Sequence, residues 1–118
     1  MHLKNYSVII VNGRVELTPA YDLLNSTIVL RGEPEEIALP IKGKKKNLTR
    51  NDLTNYFGKE RCGLTDKVME KTLLSINAVL PVWFRLIDIS FLSTEMKEKY
   101  CELLHKRIMV LGLSNPVK

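Results

Sequence analysis

The sequence predicts an α+β fold in which an N-terminal β-hairpin and a short edge strand precede a mainly helical region. Two signals carry this prediction. The first is Asn12-Gly13 set between two apolar, β-branched segments, the strongest short-range hairpin signal. The second is the change to helical periodicity after Thr49, where hydroxyl-bearing caps precede each apolar stripe.

Tyr6 to Val11 form the outgoing strand and Val15-Glu16-Leu17-Thr18 the returning one. Pro19 lacks an amide hydrogen, ends the ladder and places Ala20 to Leu24 in a turn beyond it. The polar stretch around Gly32 to Glu36 is a loop, and Ile37 to Ile41 an edge strand that turns at the lysine run. Thr49-Arg50-Asn51-Asp52 places a hydroxyl three positions before a carboxylate, a variant of the capping box. Leu53, Tyr56 and Phe57 follow at helical spacing, with Gly58 as the expected stop.

Thr65-Asp66 caps the next helix, whose apolar positions run from Val68 to Leu80 before Pro81 kinks or ends it. The pattern then continues through Val82, Trp83, Leu86, Ile87 and Ile89, with Trp83 expected as a core anchor. Ser93-Thr94-Glu95 opens a last helix carrying Met96, Tyr100, Leu103, Leu104, Ile108 and Leu111, and Gly112 closes it. One domain over 1–118 results, with the hairpin and edge strand in 1–46 and a helical bundle in 47–118.

At 118 residues, with 45% hydrophobic and 26% charged positions, the chain has the composition of an ordinary globular domain. The longest apolar stretch, Ile76 to Leu92, is broken by Asn77, Pro81, Arg85 and Asp88, so no membrane span is expected. No export signal opens the sequence, and the expected location is cytoplasmic. In that setting the acceptor patterns Asn25-Ser26-Thr27 and Asn47-Leu48-Thr49 have no glycosylation consequence. Cys62 and Cys101 lack metal-ligand spacing and are expected as reduced, half-buried thiols.

The net charge of +5 is concentrated in Lys42 to Lys46 with Arg50 nearby, the pattern of a solvated turn. Binding of phosphate or nucleic acid there is the weaker alternative, because no aromatics interleave the run. Gly43-Lys44 is not a P-loop, since Ala38 stands where the upstream glycine is required. His105 has no partner at ligand spacing and is expected at the surface or its boundary.

The N-terminal order of residues carries chemistry. In protein kinases an Asn at the end of the catalytic loop holds one Mg²⁺, and an Asp beyond the next hairpin holds the ion bridging the phosphates. Asn5, the hairpin and Tyr21-Asp22 follow that order. A hairpin returns the chain to the level where it began, so Asn5 and Asp22 are expected to meet.

His2-Leu3-Lys4-Asn5-Tyr6-Ser7, Leu17-Thr18-Pro19-Ala20-Tyr21-Asp22-Leu23-Leu24, Leu39-Pro40-Ile41 with Gly43 to Thr49, and the closing helices resemble the C-terminal lobe of the HipA family. These are bacterial serine/threonine protein kinases that act as toxins of toxin–antitoxin pairs. The resemblance implies a kinase-type C-lobe, Mg-ATP as cofactor, and Asn5 and Asp22 as the Mg²⁺ ligands. It makes His2, Lys4 and Tyr21 further nucleotide contacts and proteins of the translation apparatus the substrates.

The family's proton acceptor is an Asp two positions before this His, which would precede Met1. The sequence is therefore expected to be truncated at its N-terminus and inactive alone, with no bound cofactor. Expected partners are an antitoxin or the N-terminal lobe, with self-association through exposed apolar surface. The competing reading is a non-enzymatic module that binds such a partner.

Overall fold

The computed structural model describes residues 5–21, 25–29 and 35–114. Strands β1 (Val8–Val11) and β2 (Arg14–Leu17) pair antiparallel, with Val8 opposite Leu17 and Val11 opposite Arg14. Asn12 (φ 51°) and Gly13 (φ 77°) both take left-handed conformations, which a two-residue turn of the primed type requires. Beyond the strands, Thr18 N donates to Ser7 O at 2.8 Å, so the pairing extends one step before Pro19. The predicted hairpin is present.

The expected edge strand over Ile37 to Ile41 does not form among the described residues. Ile41 makes a single antiparallel bridge to Lys44, closed by Ile41 N to Lys44 O and Lys44 N to Ile41 O, both 2.9 Å. Lys42 (φ 51°) and Gly43 (φ 73°) close a two-residue turn like that of Asn12-Gly13, but left-handed Asn47 (φ 53°) takes the returning chain out of the extended conformation, and the amides of Asn47 and Leu48 donate to the Glu36 side chain instead of to a strand. Buried Ile41 and Leu48 anchor this loop.

Three helical segments follow. A π-helix (Asp52–Arg61) begins at the predicted capping box: Asp52 N donates to Thr49 Oγ1 at 3.2 Å, and Thr49 N donates back to Asp52 Oδ2 at 3.1 Å. Gly58 does not stop it. Gly58 is buried inside the helix, where an added Cβ would lie 2.5 Å from Met69 Sδ, so the glycine permits a close approach.

Helix α1 (Asp66–Asp88) is capped by Thr65 and continues past Pro81, which neither ends it nor removes Leu80 and Ile87 from the core. Seven residues apart, those two side chains lie on one face, and burying them offsets the hydrogen bond that proline cannot donate. Helix α2 (Thr94–Leu111) starts at Ser93, whose side chain accepts from Met96 N, and ends at left-handed Gly112. No helix among the described residues is long and apolar enough to cross a membrane.

Helix α2 packs against α1 and the 3-10 turn Ser26–Ile28. Two polar clamps tie the loops to it. Glu36 accepts from Asn47 N, Leu48 N (both 3.2 Å) and Arg107 Nη1 (3.0 Å), while Arg50 Nη1 donates to Leu111 O at 2.6 Å.

The core is small: Ile41, Leu48, Leu80, Ile87 and Ile108 are the buried apolar residues among those described. The chain exposes 9316 Å², against about 6,500 Å² for a compact monomer of its mass. Its radius of gyration, 16.3 Å, exceeds the roughly 13.5 Å of a compact domain this long. Trp83, expected as a core anchor, is 41% exposed, and Cys62 is exposed rather than half-buried. Trp83 departs from expectation because α2 and the π-helix cover only part of α1, and Cys62 because it stands at the exposed C-terminal end of the π-helix.

Candidate functional site

Asn5 is 5% exposed, an unusual position for a carboxamide unless its hydrogen bonds are made. Its Nδ2 donates to Tyr21 O at 2.9 Å, and Tyr21 N donates to Asn5 O at 3.1 Å. Ser7 and Thr18 repeat this pairing one step up the hairpin: Ser7 N donates to Thr18 Oγ1 at 3.2 Å, and the two hydroxyls lie 3.1 Å apart. The fold-back therefore carries past β1 and β2 and joins the segment before β1 to the one after Pro19.

Of the five residues predicted to contact nucleotide or metal, Asn5 and Tyr21 are brought together. Tyr21 presents an exposed ring. His2, Lys4 and Asp22 lie outside the described residues.

With Nδ2 committed to a carbonyl, the amide of Asn5 has a fixed orientation, and Oδ1 is the side-chain atom with the chemistry to take a cation. A neutral carboxamide oxygen suits a hard ion such as Mg²⁺, which combines one or two protein oxygens with water and phosphate. Among the described residues no group of three His, Cys, Asp or Glu side chains is placed to hold a metal ion. Of the two expected ligands Asn5 is the one described, and its carboxamide oxygen is a donor type that Mg²⁺ accepts.

The lysine run forms the solvated turn expected of it, and several of its charges are engaged. Lys44 pairs with Asp52 at 3.3 Å, Lys45 with Glu35 at 3.0 Å, and Lys42 lies 5.8 Å from the Tyr56 ring centroid. Asp52 is held below the usual carboxylate range by the Thr49 N–H and hydroxyl, aided by Lys44 and opposed by burial. Burial pushes Glu36 upward, but Arg107 and the amides of Leu48 and Asn47 outweigh it and leave Glu36 below its ordinary value. His105 sits at the boundary, its Nδ1 2.8 Å from Cys101 O and its ring 4.9 Å from that of Phe84.

Sequence reasoning missed the Glu36–Arg107 clamp, because nothing in the local pattern links positions so far apart. It also missed the exposed apolar face of the hairpin. Val8, Ile10, Val15 and Leu17 share one side and are 65–77% exposed.

A two-stranded ribbon followed by helices, with a buried Asn tied across the ribbon's base, defines the class of this protein as α+β with a hairpin-borne polar site. The family profile of the HipA-like C-terminal domain matches residues 1–83, and the chain belongs to the HipA family. No curated protein matches it.

Proposed function

We propose that the chain is the metal-holding part of a HipA-like serine/threonine protein kinase toxin, with Asn5 and Asp22 as the two Mg²⁺ ligands and His2, Lys4 and Tyr21 beside the nucleotide. One observation carries the reading: the reciprocal bonding of Asn5 with Tyr21, the residue covalently joined to Asp22. When bound, Mg-ATP supplies the transferable phosphoryl group and neutralises its charge.

The chain's own residues position. Asn5 offers an oriented amide oxygen, and Asp22 the carboxylate that the family pattern requires after Tyr21. Lys4 would add charge for a phosphate oxygen. These 118 residues carry no acidic group at the family's proton-accepting position, and a positioned base is worth about 10²–10⁴-fold in rate. Alone, they are expected to transfer no phosphate.

Phosphorylation of a protein substrate by the purified chain, above that of its Asp22→Ala variant, would refute the inactivity. The ligand assignment is tested by fusing these residues behind the N-terminal lobe and catalytic loop of a HipA-family kinase. Asn5→Ala and Asp22→Ala should each then lower Mg²⁺-dependent transfer by at least about 100-fold. A fusion that stays active with both replacements contradicts the assignment.

The exposed hairpin face favours a second reading, that of an interaction module. Two strands alone are marginal in water, and four apolar side chains on one side call for a cover. An antitoxin or an N-terminal lobe would supply it. Loss of partner capture in Ile10→Glu supports this reading, and capture unchanged by that replacement contradicts it.

A further inference from the structure

The outer side of α1 has an apolar stripe that the kinase reading leaves unused. Val82 and Leu86 follow Val79 at intervals of three and four, Trp83 stands four after Val79, Ile89 and Phe91 extend the patch, and all six are exposed. Beside them lies a groove of about 380 Å³, lined by Trp83, Leu86, Ile87, Leu92, Tyr100 and Leu104. Ser90 also lines it, and Ser90 Oγ already donates to Ile87 O at 2.7 Å.

Ser90 and Leu92 line the groove, whereas Phe91 between them is fully exposed. A protruding phenyl ring therefore stands next to an empty apolar slot on the same surface. We propose that this surface is a two-fold interface between copies of the chain, in which Phe91 of each copy fills the other's groove.

Three observations select a second copy as the occupant. First, the ring and the slot adjoin, so a single two-fold axis between them satisfies both at once, as an isologous interface requires. Second, six large apolar residues between Val79 and Phe91 are 39–108% exposed, the kind of exposed apolar surface that marks a protein–protein contact. Third, the segment from Trp83 to Lys99 holds three cations (Arg85, Lys97, Lys99) and three anions (Asp88, Glu95, Glu98), so the surface meets itself without the repulsion that the +5 chain produces elsewhere.

The test is the mass in solution of the purified 118-residue chain, by light scattering and sedimentation over about 1–100 μM, a range that brackets micromolar association. The expected mass approaches twice 13.5 kDa. Phe91→Glu should raise the dissociation constant at least about 30-fold, as for an interface hot spot, with the helical circular dichroism unchanged. Because Phe91 makes no buried contact within its own chain, that variant folds.

Ile10→Glu on the hairpin should leave the dimer intact. A chain monomeric throughout the range overturns the proposal, as does a dimer that survives Phe91→Glu or is lost in Ile10→Glu. None of these outcomes depends on the metal-ligand assignment.

Discussion

Asn5 and Tyr21, sixteen positions apart, bond to each other twice: the Asn5 side chain donates to the Tyr21 carbonyl at 2.9 Å, and the Tyr21 amide donates to the Asn5 carbonyl at 3.1 Å. The first bond is the one a mutation can remove. Asn5→Ala leaves the Tyr21 carbonyl without its side-chain donor and should cost about 1 kcal/mol of stability in denaturant unfolding. Asn5→Asp replaces that donor with an acceptor facing a carbonyl and should cost more than the alanine. If Asn5→Asp is the more stable of the two, the donor assignment is wrong.

Acid should unfold the chain through Glu36 and Asp52. Both have folded-state pKa values below their ordinary ones, so each contributes stability that is present above the usual carboxylate range, about pH 4, and is lost as pH falls through the folded value. Thermal midpoints should be flat from about pH 7 to 5 and then fall. Glu36→Gln keeps the shape and loses the charge, so it should lower the midpoint at neutral pH and flatten the acid slope. A variant with the wild-type slope contradicts the assignment.

The core predicts a sharp contrast within α1. Leu80 is 1% exposed and Leu74, on the same helix, is largely solvated. Leu80→Ala should cost about 2–5 kcal/mol and Leu74→Ala less than about 0.5 kcal/mol, read from urea midpoints. Similar losses at both positions would mean that α1 packs through a different face.

Gly58 gives a test of close approach. A β-carbon there meets the terminal sulfur and methyl of Met69, which can swing into the open cleft beside Leu73, and alanine adds helix propensity. Gly58→Ala should therefore change stability by less than about 1 kcal/mol, whereas Gly58→Leu should cost about 1–3 kcal/mol by overpacking. Met69→Ala should make the leucine tolerable, and no rescue would show that the helices are not apposed there.

How far the sequence could be read depended on the range of the forces involved. The hairpin was legible because Asn12-Gly13 demands two left-handed residues, and the helix starts because Thr49, Thr65 and Ser93 bond amides three positions ahead. As expected helix ends, Pro81 and Gly58 misled for one reason: each is a breaker by local propensity, and each was overruled by tertiary packing of Leu80 and Ile87 or of Met69. The supposed edge strand failed because the segment returning from Lys42-Gly43 turns left-handed at Asn47 and gives its amides to the Glu36 side chain, a partner that no local pattern announces. Trp83 was misassigned because periodicity identifies an apolar side of a helix but not whether a neighbour covers it. At the site, the pattern singled out Asn5 and Asp22; Asp22 lies outside the described residues, and hairpin geometry accounts for the fold-back that joins Asn5 to the adjacent Tyr21. The Glu36–Arg107 clamp joins residues seventy-one positions apart and has no local signature.

The most direct test of the central claim asks whether the side chains at positions 5 and 22 reach one cation. In a background with Cys62 and Cys101 replaced by serine, Asn5→Cys and Asp22→Cys together should bind one equivalent of Cd²⁺, a soft ion suited to thiolates, with the charge-transfer absorbance of two thiolate ligands. The double variant should bind at least about tenfold more tightly than either single variant, a difference of about 1.4 kcal/mol. Equal affinity in single and double variants, or the absorbance of one thiolate alone, would contradict a shared metal site.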